Sequence, residues 1–368
     1  MLRKRWHVFC RVVDNYGDAG VCWRLARQLA GEHGLDVTLW IDRLSTLARF
    51  QPDIDSAAEH QSLLAVSLRR LDGVAAGDDL PDVVVEGFGC GLPEPYVQAM
   101  ASAASAPLWI NLEYLSAEPW VETVHGLSSP HPRLPLARYF WFPGFTGRTG
   151  GLQRERGLFE ARDALEALRE PCQALHVTLF CYANRALPSL FDVWAEGDER
   201  VACSIPEGVA AGALDQWLHG DVPHAGESVV RGRLEVKIIP FGTQDQFDRL
   251  LWRSHVNFVR GEDSFVRAQW AARAFVWQPY PQDEDAHMLK LDAFLTRYCA
   301  DLCSDAHRAI DAFSHAFNVE DGAGAAGAWP AFRSSNNELV IHGRRWAAAL
   351  AELPELTAGL VDFARHRL

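Results

Sequence analysis

This sequence is short of positive charge, has no long apolar run and keeps its cysteines apart, and each shortage removes a class of function. Its 35 lysines and arginines are outnumbered by 48 aspartates and glutamates, for a formal net charge of -13. No basic face is visible, which argues against direct nucleic-acid binding. No stretch approaches the ~20 apolar residues of a membrane span. Residues 1–5 are basic, but 6–13 is too short and too charged for the core of a signal peptide, so a cytoplasmic protein without a membrane partner is expected. The eight cysteines, at 10, 22, 90, 172, 181, 203, 299 and 303, contain no CxxC pair. Cys299 and Cys303 are spaced to share a helix face, yet no histidine supplies a further zinc ligand at a recognisable spacing. Buried, reduced thiols and no metal are the expectation. Repeats and long low-complexity blocks are missing too.

What is present is ordinary globular composition, 48% hydrophobic and 23% charged, in a chain of 368 residues. That length exceeds what one hydrophobic core usually serves, so two domains are expected. In the first half, strand-like and helix-like segments alternate. Residues 6–13 are apolar and β-rich, and a turn at 14–20 follows. Residues 21–33 then carry Val21, Leu25 and Leu29 on one helical stripe. Gly34 closes that helix and 36–41 reads as the next strand. Residues 82–85 (strand), 93–105 (helix) and 108–112 (strand) continue the series.

The second set begins after the turn-rich 144–151 and the charged, helical 155–170. It reads as strands 174–181, 201–205, 234–240 and 256–259, with helices 187–194 and 244–253 among them. The glycine-alanine tract 322–328 reads as a flexible surface connection and 344–367 as a terminal helical segment. Strands separated by helices form right-handed βαβ units around a parallel sheet. The expected fold class is therefore α/β: two Rossmann-like domains facing a central cleft, the GT-B glycosyltransferase architecture. The expected boundaries are 1–152 for an acceptor-binding domain onto which 350–368 packs back, 153–172 for a linker, and 173–349 for a nucleotide-sugar-binding domain.

Ligands of such folds sit beyond the carboxyl ends of the strands. Arg260-Gly261-Glu262-Asp263-Ser264-Phe265 lies there, between a strand and a helix expected to open at Ser264 and run over 266–277. A helix start with its dipole favours a diphosphate, Gly261 allows close approach of the backbone, and the Ser264 hydroxyl can donate. Asp263 or Ser264 acting only as a helix cap would explain the same residues. Glu262 is expected to face ribose or sugar hydroxyls, because an acid beside a phosphate repels it. Pro240-Phe241-Gly242-Thr243-Gln244 ends the preceding strand, where Phe241 can stack on a base and Gln244 can hydrogen-bond to it. Tyr182 occupies the same rim.

In the first half, Asp14 and Asp18 bracket Asn15-Tyr16-Gly17 on the first strand-to-helix turn. Paired acids suit recognition of a cation or proton abstraction. An Asx-turn at Asp14 and a helix cap at Asp18 would account for them equally. Glu86-Gly87-Phe88-Gly89-Cys90-Gly91 follows another strand, but Pro93 and Pro95 intervene before any helix. It reads as a substrate-facing loop rather than a dinucleotide fingerprint.

Together these motifs resemble the elongation factor P arginine rhamnosyltransferase family (EarP). The likeness is carried by the run from Asp14 to Arg27 (Asp-Asn-Tyr-Gly-Asp-Ala-Gly-Val-Cys-Trp-Arg-Leu-Ala-Arg), Glu86-Gly87-Phe88-Gly89, Pro240-Phe241-Gly242-Thr243-Gln244 and Arg260-Gly261-Glu262-Asp263-Ser264-Phe265, in that order along most of the chain. The resemblance implies a GT-B enzyme that moves rhamnose from dTDP-β-L-rhamnose to one arginine of elongation factor P, with inversion. It implies Asp18 as general base, Asp14 as an essential neighbour and Glu262 as a second critical acid. Asp263 and Ser264 become phosphate-side contacts, Phe241, Gln244 and Tyr182 the nucleoside pocket, and Arg260, Asn15, Tyr16 and Gly17 further substrate-binding positions. The family often has Phe where Tyr16 stands. No metal and no other cofactor are implied, since the helix start stabilises the leaving diphosphate. Another GT-B enzyme, acting as a sugar-nucleotide epimerase or small-glycan transferase, and a non-catalytic module binding a basic loop are the competing readings.

Overall fold

The computed structural model describes residues 4–14, 16–75, 79–170 and 173–368. The chain divides into two compact units, Met1–Arg156 with Leu350–Leu368, and Gly157–Ala349.

The described residues of the first unit build an eight-stranded sheet in the order His60–Leu63, Val66–Arg70, Asp36–Ile41, Arg5–Cys10, Val83–Gly87, Leu108–Leu112, Ala137–Trp141, Ser128–Pro130. The six inner strands pair in parallel; the two edge strands are antiparallel. Strand Arg5–Cys10 is buried at every position after Arg5 because both of its faces are covered. Trp6, Val8 and Cys10 enter one core layer with Trp23, Leu25 and Leu29 of helix Gly17–Gly31. Phe9 enters the opposite layer with Trp40, Tyr96 and Trp109.

Two helices, Asn336–Ala351 and Leu356–Arg365, stand where one terminal segment was expected; Pro354, with no N–H to donate, falls between them. The second packs on the first unit: Leu356, Leu360 and Val361 join the layer under helix Gly17–Gly31. Thr357 donates to the Gln28 side chain at 2.9 Å.

Among the described residues of the second unit a six-stranded sheet runs Ser228–Arg231, Leu234–Ile239, Arg200–Pro206, Ala174–Leu179, Val256–Arg260, Ala274–Gln278, parallel except for its first strand. The structure differs from the sequence expectation in four respects. The helix after Ser264 ends early, at Ala271, and the apolar run Ala274–Gln278 is a strand. A run buried on both sides has no polar positions to reveal its period. The glycine-alanine tract lies inside helix Gly322–Ser334, capped by the Asp321 carboxylate, which accepts from Gly324 N–H at 3.0 Å. It buries Ala325, Trp329 and Phe332, so packing overrides the weak local preference of glycine. Cys299 and Cys303 flank the gap between helices Ala286–Tyr298 and Ser304–Asn318 instead of sharing one face. Cys303 is exposed and Cys90 half-buried, against the expectation of uniformly buried thiols; Cys172 lies outside the described residues. No helix among the described residues is long and apolar enough to cross a membrane.

Candidate active site

In the first unit, the turn after strand Arg5–Cys10 delivers two carboxylates. Helix Gly17–Gly31 starts at Gly17 with Tyr16 as its N-cap, and no side chain caps it. Asp18 is therefore the helix's second residue, not the cap of a helix beginning at Val21. Its carboxylate folds back over the turn: Oδ2 accepts the backbone N–H of Val13 at 2.7 Å and of Asp14 at 2.8 Å. The Tyr114 hydroxyl donates to Oδ1 at 3.5 Å. Only 2% of Asp18 is exposed, and this burial raises its pKa above the ordinary carboxylate range; Asp42 adds to the rise, while the two N–H groups and Tyr114 oppose it. A carboxylate so raised takes up a proton more readily, as a general base must.

Asp14 is also buried, and its Oδ2 lies 2.5 Å from where a Cβ on residue 17 would stand. Only glycine fits at Gly17 with Asp14 in this position. Tyr16 is half-buried and meets Phe50 edge-on at 6.4 Å. Asn15 lies outside the described residues.

Glu86, at the carboxyl end of the neighbouring strand, is spoken for. Its buried carboxylate accepts Gly91 N–H at 2.9 Å and Trp109 Nε1–H at 3.0 Å, and pairs with Arg138 at 3.3 Å. It is the brace of its loop. The next residue but one, Phe88, stacks on Tyr114.

In the second unit, strands Ala174–Leu179 and Val256–Arg260 lie side by side and parallel, so their carboxyl ends share one edge. Arg260 lays its guanidinium over the rings of Phe180 at 4.5 Å and Tyr182 at 4.7 Å, while Nη1 donates to the Cys181 carbonyl at 3.0 Å. Phe241 meets Phe180 edge-on at 6.2 Å. Gly261, at φ +54°, turns the chain, and its carbonyl accepts Trp277 Nε1–H at 2.8 Å.

Helix Asp263–Ala271 then begins with Glu262 as N-cap and no side-chain cap. Neither Asp263 nor Ser264 acts as that cap. Ser264 instead ties its hydroxyl to Arg260, donating to the carbonyl at 2.6 Å and accepting the N–H at 3.0 Å. Gln244 opens helix Gln244–Arg253, whose own capping box is Thr243 with Gln246, and donates to Asp263 Oδ2 at 3.3 Å. One cluster thus gathers Tyr182, Phe241, Gln244, Arg260, Asp263 and Ser264, with Glu262 half-buried at the helix start. Phe180, two residues before Tyr182, also belongs to it, a position that the sequence motifs do not single out.

The first unit therefore holds a buried carboxylate of raised pKa with a second buried acid on the same turn. The second holds an aromatic- and arginine-lined edge at the start of a helix without a side-chain cap, suited to a nucleoside diphosphate.

Comparison with known proteins bears on both. A family model described as "Elongation-Factor P (EF-P) rhamnosyltransferase EarP" matches residues 6–365. A protein-arginine rhamnosyltransferase of Pseudomonas putida strain KT2440 is 44% identical over 380 residues, covering 100% of both chains. A solved structure described as the structural basis for EarP-mediated arginine glycosylation of translation elongation factor EF-P matches at 34% identity with a TM-score of 0.69, over 100% of both chains. Acinetobacter baumannii MurG matches at 12% identity and a TM-score of 0.51, over 99% of this chain and 100% of that one, a likeness of fold alone. The fold is that of the GT-B glycosyltransferases.

Proposed function

This chain belongs to the EarP family of elongation factor P rhamnosyltransferases, and from that premise we propose how its residues work on a dTDP-β-L-rhamnose donor and an arginine of elongation factor P. It is a glycosyltransferase, a protein-arginine rhamnosyltransferase. The observation that carries the rest is the buried carboxylate of Asp18, its pKa raised by burial above the ordinary carboxylate range, with a second acid on the same turn.

An arginine side chain is protonated at neutral pH, and its nitrogen lone pairs are delocalised, so it is a poor nucleophile. Asp14 and Asp18 align the guanidinium through charge-assisted hydrogen bonds. As nitrogen bonds to the anomeric carbon, the bond from that carbon to the diphosphate oxygen breaks and one N–H proton passes to Asp18. The product guanidinium carries a single positive charge throughout. Attack opposite the leaving group inverts the anomeric centre, which passes through oxocarbenium character as in glycoside hydrolysis.

On the donor side, Phe241, Gln244 and Tyr182 hold the nucleoside. Asp263 and Ser264 contribute the phosphate-side end of the helix, with Arg260 beside them and Glu262 toward the sugar. The helix dipole and its first N–H groups supply what a metal supplies in other transferases. The reaction takes place in the cytoplasm, where its acceptor is made.

The test is mass spectrometry of elongation factor P incubated with this chain and dTDP-β-L-rhamnose in EDTA. A gain of one deoxyhexose on an arginine is expected. Sugar transfer only to a small glycan refutes the acceptor, and turnover that returns only with magnesium refutes the metal-free mechanism.

A further inference from the structure

The two oxygens of Asp18 are not equivalent. Oδ2 is occupied by two backbone N–H groups of its own turn. Oδ1 meets the Tyr114 hydroxyl, which arrives from the loop after strand Leu108–Leu112. The Tyr114 ring is itself braced: the Phe88 ring lies on it with centroids 4.5 Å apart and planes 18° from parallel. Phe88 has φ +56°, a left-handed conformation that is uncommon for a bulky aromatic residue. Its N–H donates to the Leu112 carbonyl at 2.6 Å, at the end of the very strand from which Tyr114 departs. Strain of this kind persists only where the surroundings enforce it, and here it sets a ring against the partner of the base.

We propose that Tyr114, braced by Phe88, is a positioning residue that orients Asp18 so that Oδ1, and not Oδ2, takes the proton from the acceptor nitrogen. This rests on Asp18 being the general base. In the transfer step the N–H electron pair stays with the arginine nitrogen as the proton moves to Oδ1; Tyr114 keeps its own proton and goes on donating from the side. The 3.5 Å separation is long for a hydrogen bond and leaves room for it to tighten when the acceptor is bound.

Among the described residues, the groups facing Asp18 are the backbone N–H of Asp14 on the same turn, Asp42 beyond strand Asp36–Ile41, Cys10 at the end of the first strand, and Tyr114. Tyr114 is the one among them whose side chain lowers the Asp18 pKa. Taking its hydroxyl away therefore sends Asp18 further up.

The experiment is initial-rate kinetics of the full chain with elongation factor P and dTDP-β-L-rhamnose across pH, for Tyr114→Phe, Phe88→Leu and Asp18→Asn. Tyr114→Phe is expected to lower kcat about tenfold at neutral pH, the scale of one hydrogen bond to a charged group. It should leave the donor KM unchanged and move the acid limb of kcat/KM to higher pH. Phe88→Leu should move that limb in the same direction by less. An acid limb unmoved in Tyr114→Phe, with Asp18→Asn inactive, overturns this inference and leaves the base in place. Full activity in Asp18→Asn overturns the base assignment, and the inference with it.

Discussion

Arg267 and Asp248 face each other across two helices of the second unit in a doubly hydrogen-bonded pair, Nε to Oδ1 at 2.9 Å and Nη2 to Oδ2 at 2.7 Å. Both side chains are almost fully buried. The two helices are the ones that begin at Gln244 and at Asp263, so the pair locks together the starts from which those residues meet at 3.3 Å. Removing one partner takes from a buried charge its doubly hydrogen-bonded counter-charge, which costs about 3–5 kcal/mol. Arg267→Met is expected to lower the denaturation midpoint of the second unit and weaken dTDP binding. Adding Asp248→Leu should recover much of the stability. Calorimetry on the single and double variants checks this; an unchanged midpoint in Arg267→Met contradicts it.

Asp18 makes a prediction in which stability and activity part company. Its pKa in the fold is raised by burial, so the folded state disfavours the ionised form. That penalty is absent below the ordinary aspartate pKa and complete above the raised one, so stability is lost as pH climbs through this window. Asp18→Asn keeps an oxygen for the Val13 and Asp14 N–H groups and has no charge to bury. Its melting temperature at neutral pH should equal or exceed the parent's, with the gap closing in acid. Sugar transfer should fall about a thousandfold, the scale of a lost general base. A variant that melts lower at neutral pH would show that the carboxylate stabilises the fold.

How far the sequence reveals this arrangement depends on whether the deciding contacts are local. Strands Asp36–Ile41 and Leu108–Leu112 and helix Gln244–Arg253 are readable to the residue, since apolar periodicity and flanking breakers agree. Edge strands His60–Leu63 and Ser128–Pro130 escape notice because they are short and polar: each pairs antiparallel with the strand that follows it, but no run of alternating apolar residues marks it. Ala274–Gln278 reads as helix because a fully buried strand shows no alternation. The contiguous 14–18 turn and 260–265 loop are visible as motifs, and the family resemblance they carry is borne out over residues 6–365. Tyr114 meets Asp18 across 96 positions of sequence, and no local pattern announces it. The same holds for the roles of Glu86 and Ser264: their residue types allow a ligand, but their hydrogen bonds go to the protein's own backbone and side chains.

Arg260 is tested by its closest relative in charge. Its planar guanidinium lies over two aromatic rings while donating to a carbonyl. Lysine keeps the positive charge but has neither the flat face nor the fork of donors. Arg260→Lys is expected to weaken dTDP binding about tenfold, the loss of a partly desolvated cation–π contact and one hydrogen bond. The pH dependence of kcat set by Asp18 should stay where it is. Titration calorimetry with dTDP decides: equal affinity in the lysine variant would mean that charge alone matters at this position.

Gly17 separates the position of Asp14 from the integrity of the fold. It is the first residue of its helix, where alanine keeps only part of the advantage of about 1 kcal/mol that it has over glycine in a helix interior. The added methyl would stand 2.5 Å from Asp14 Oδ2, a contact that no real pair of atoms tolerates. What yields is the tip of the Asp14 side chain, because rotating a carboxylate is easier than moving a helix start whose Asp18, Ala19, Gly20 and Val21 are buried. Gly17→Ala should therefore melt no lower than the parent. Its kcat should fall about a hundredfold, since displacing a reacting or aligning group by an ångström has that effect. The donor KM should not change if, as proposed, residues of the second unit hold the donor. If the variant transfers rhamnose at the parent's rate, the placement of Asp14 is not what aligns the acceptor, and the glycine serves only the turn.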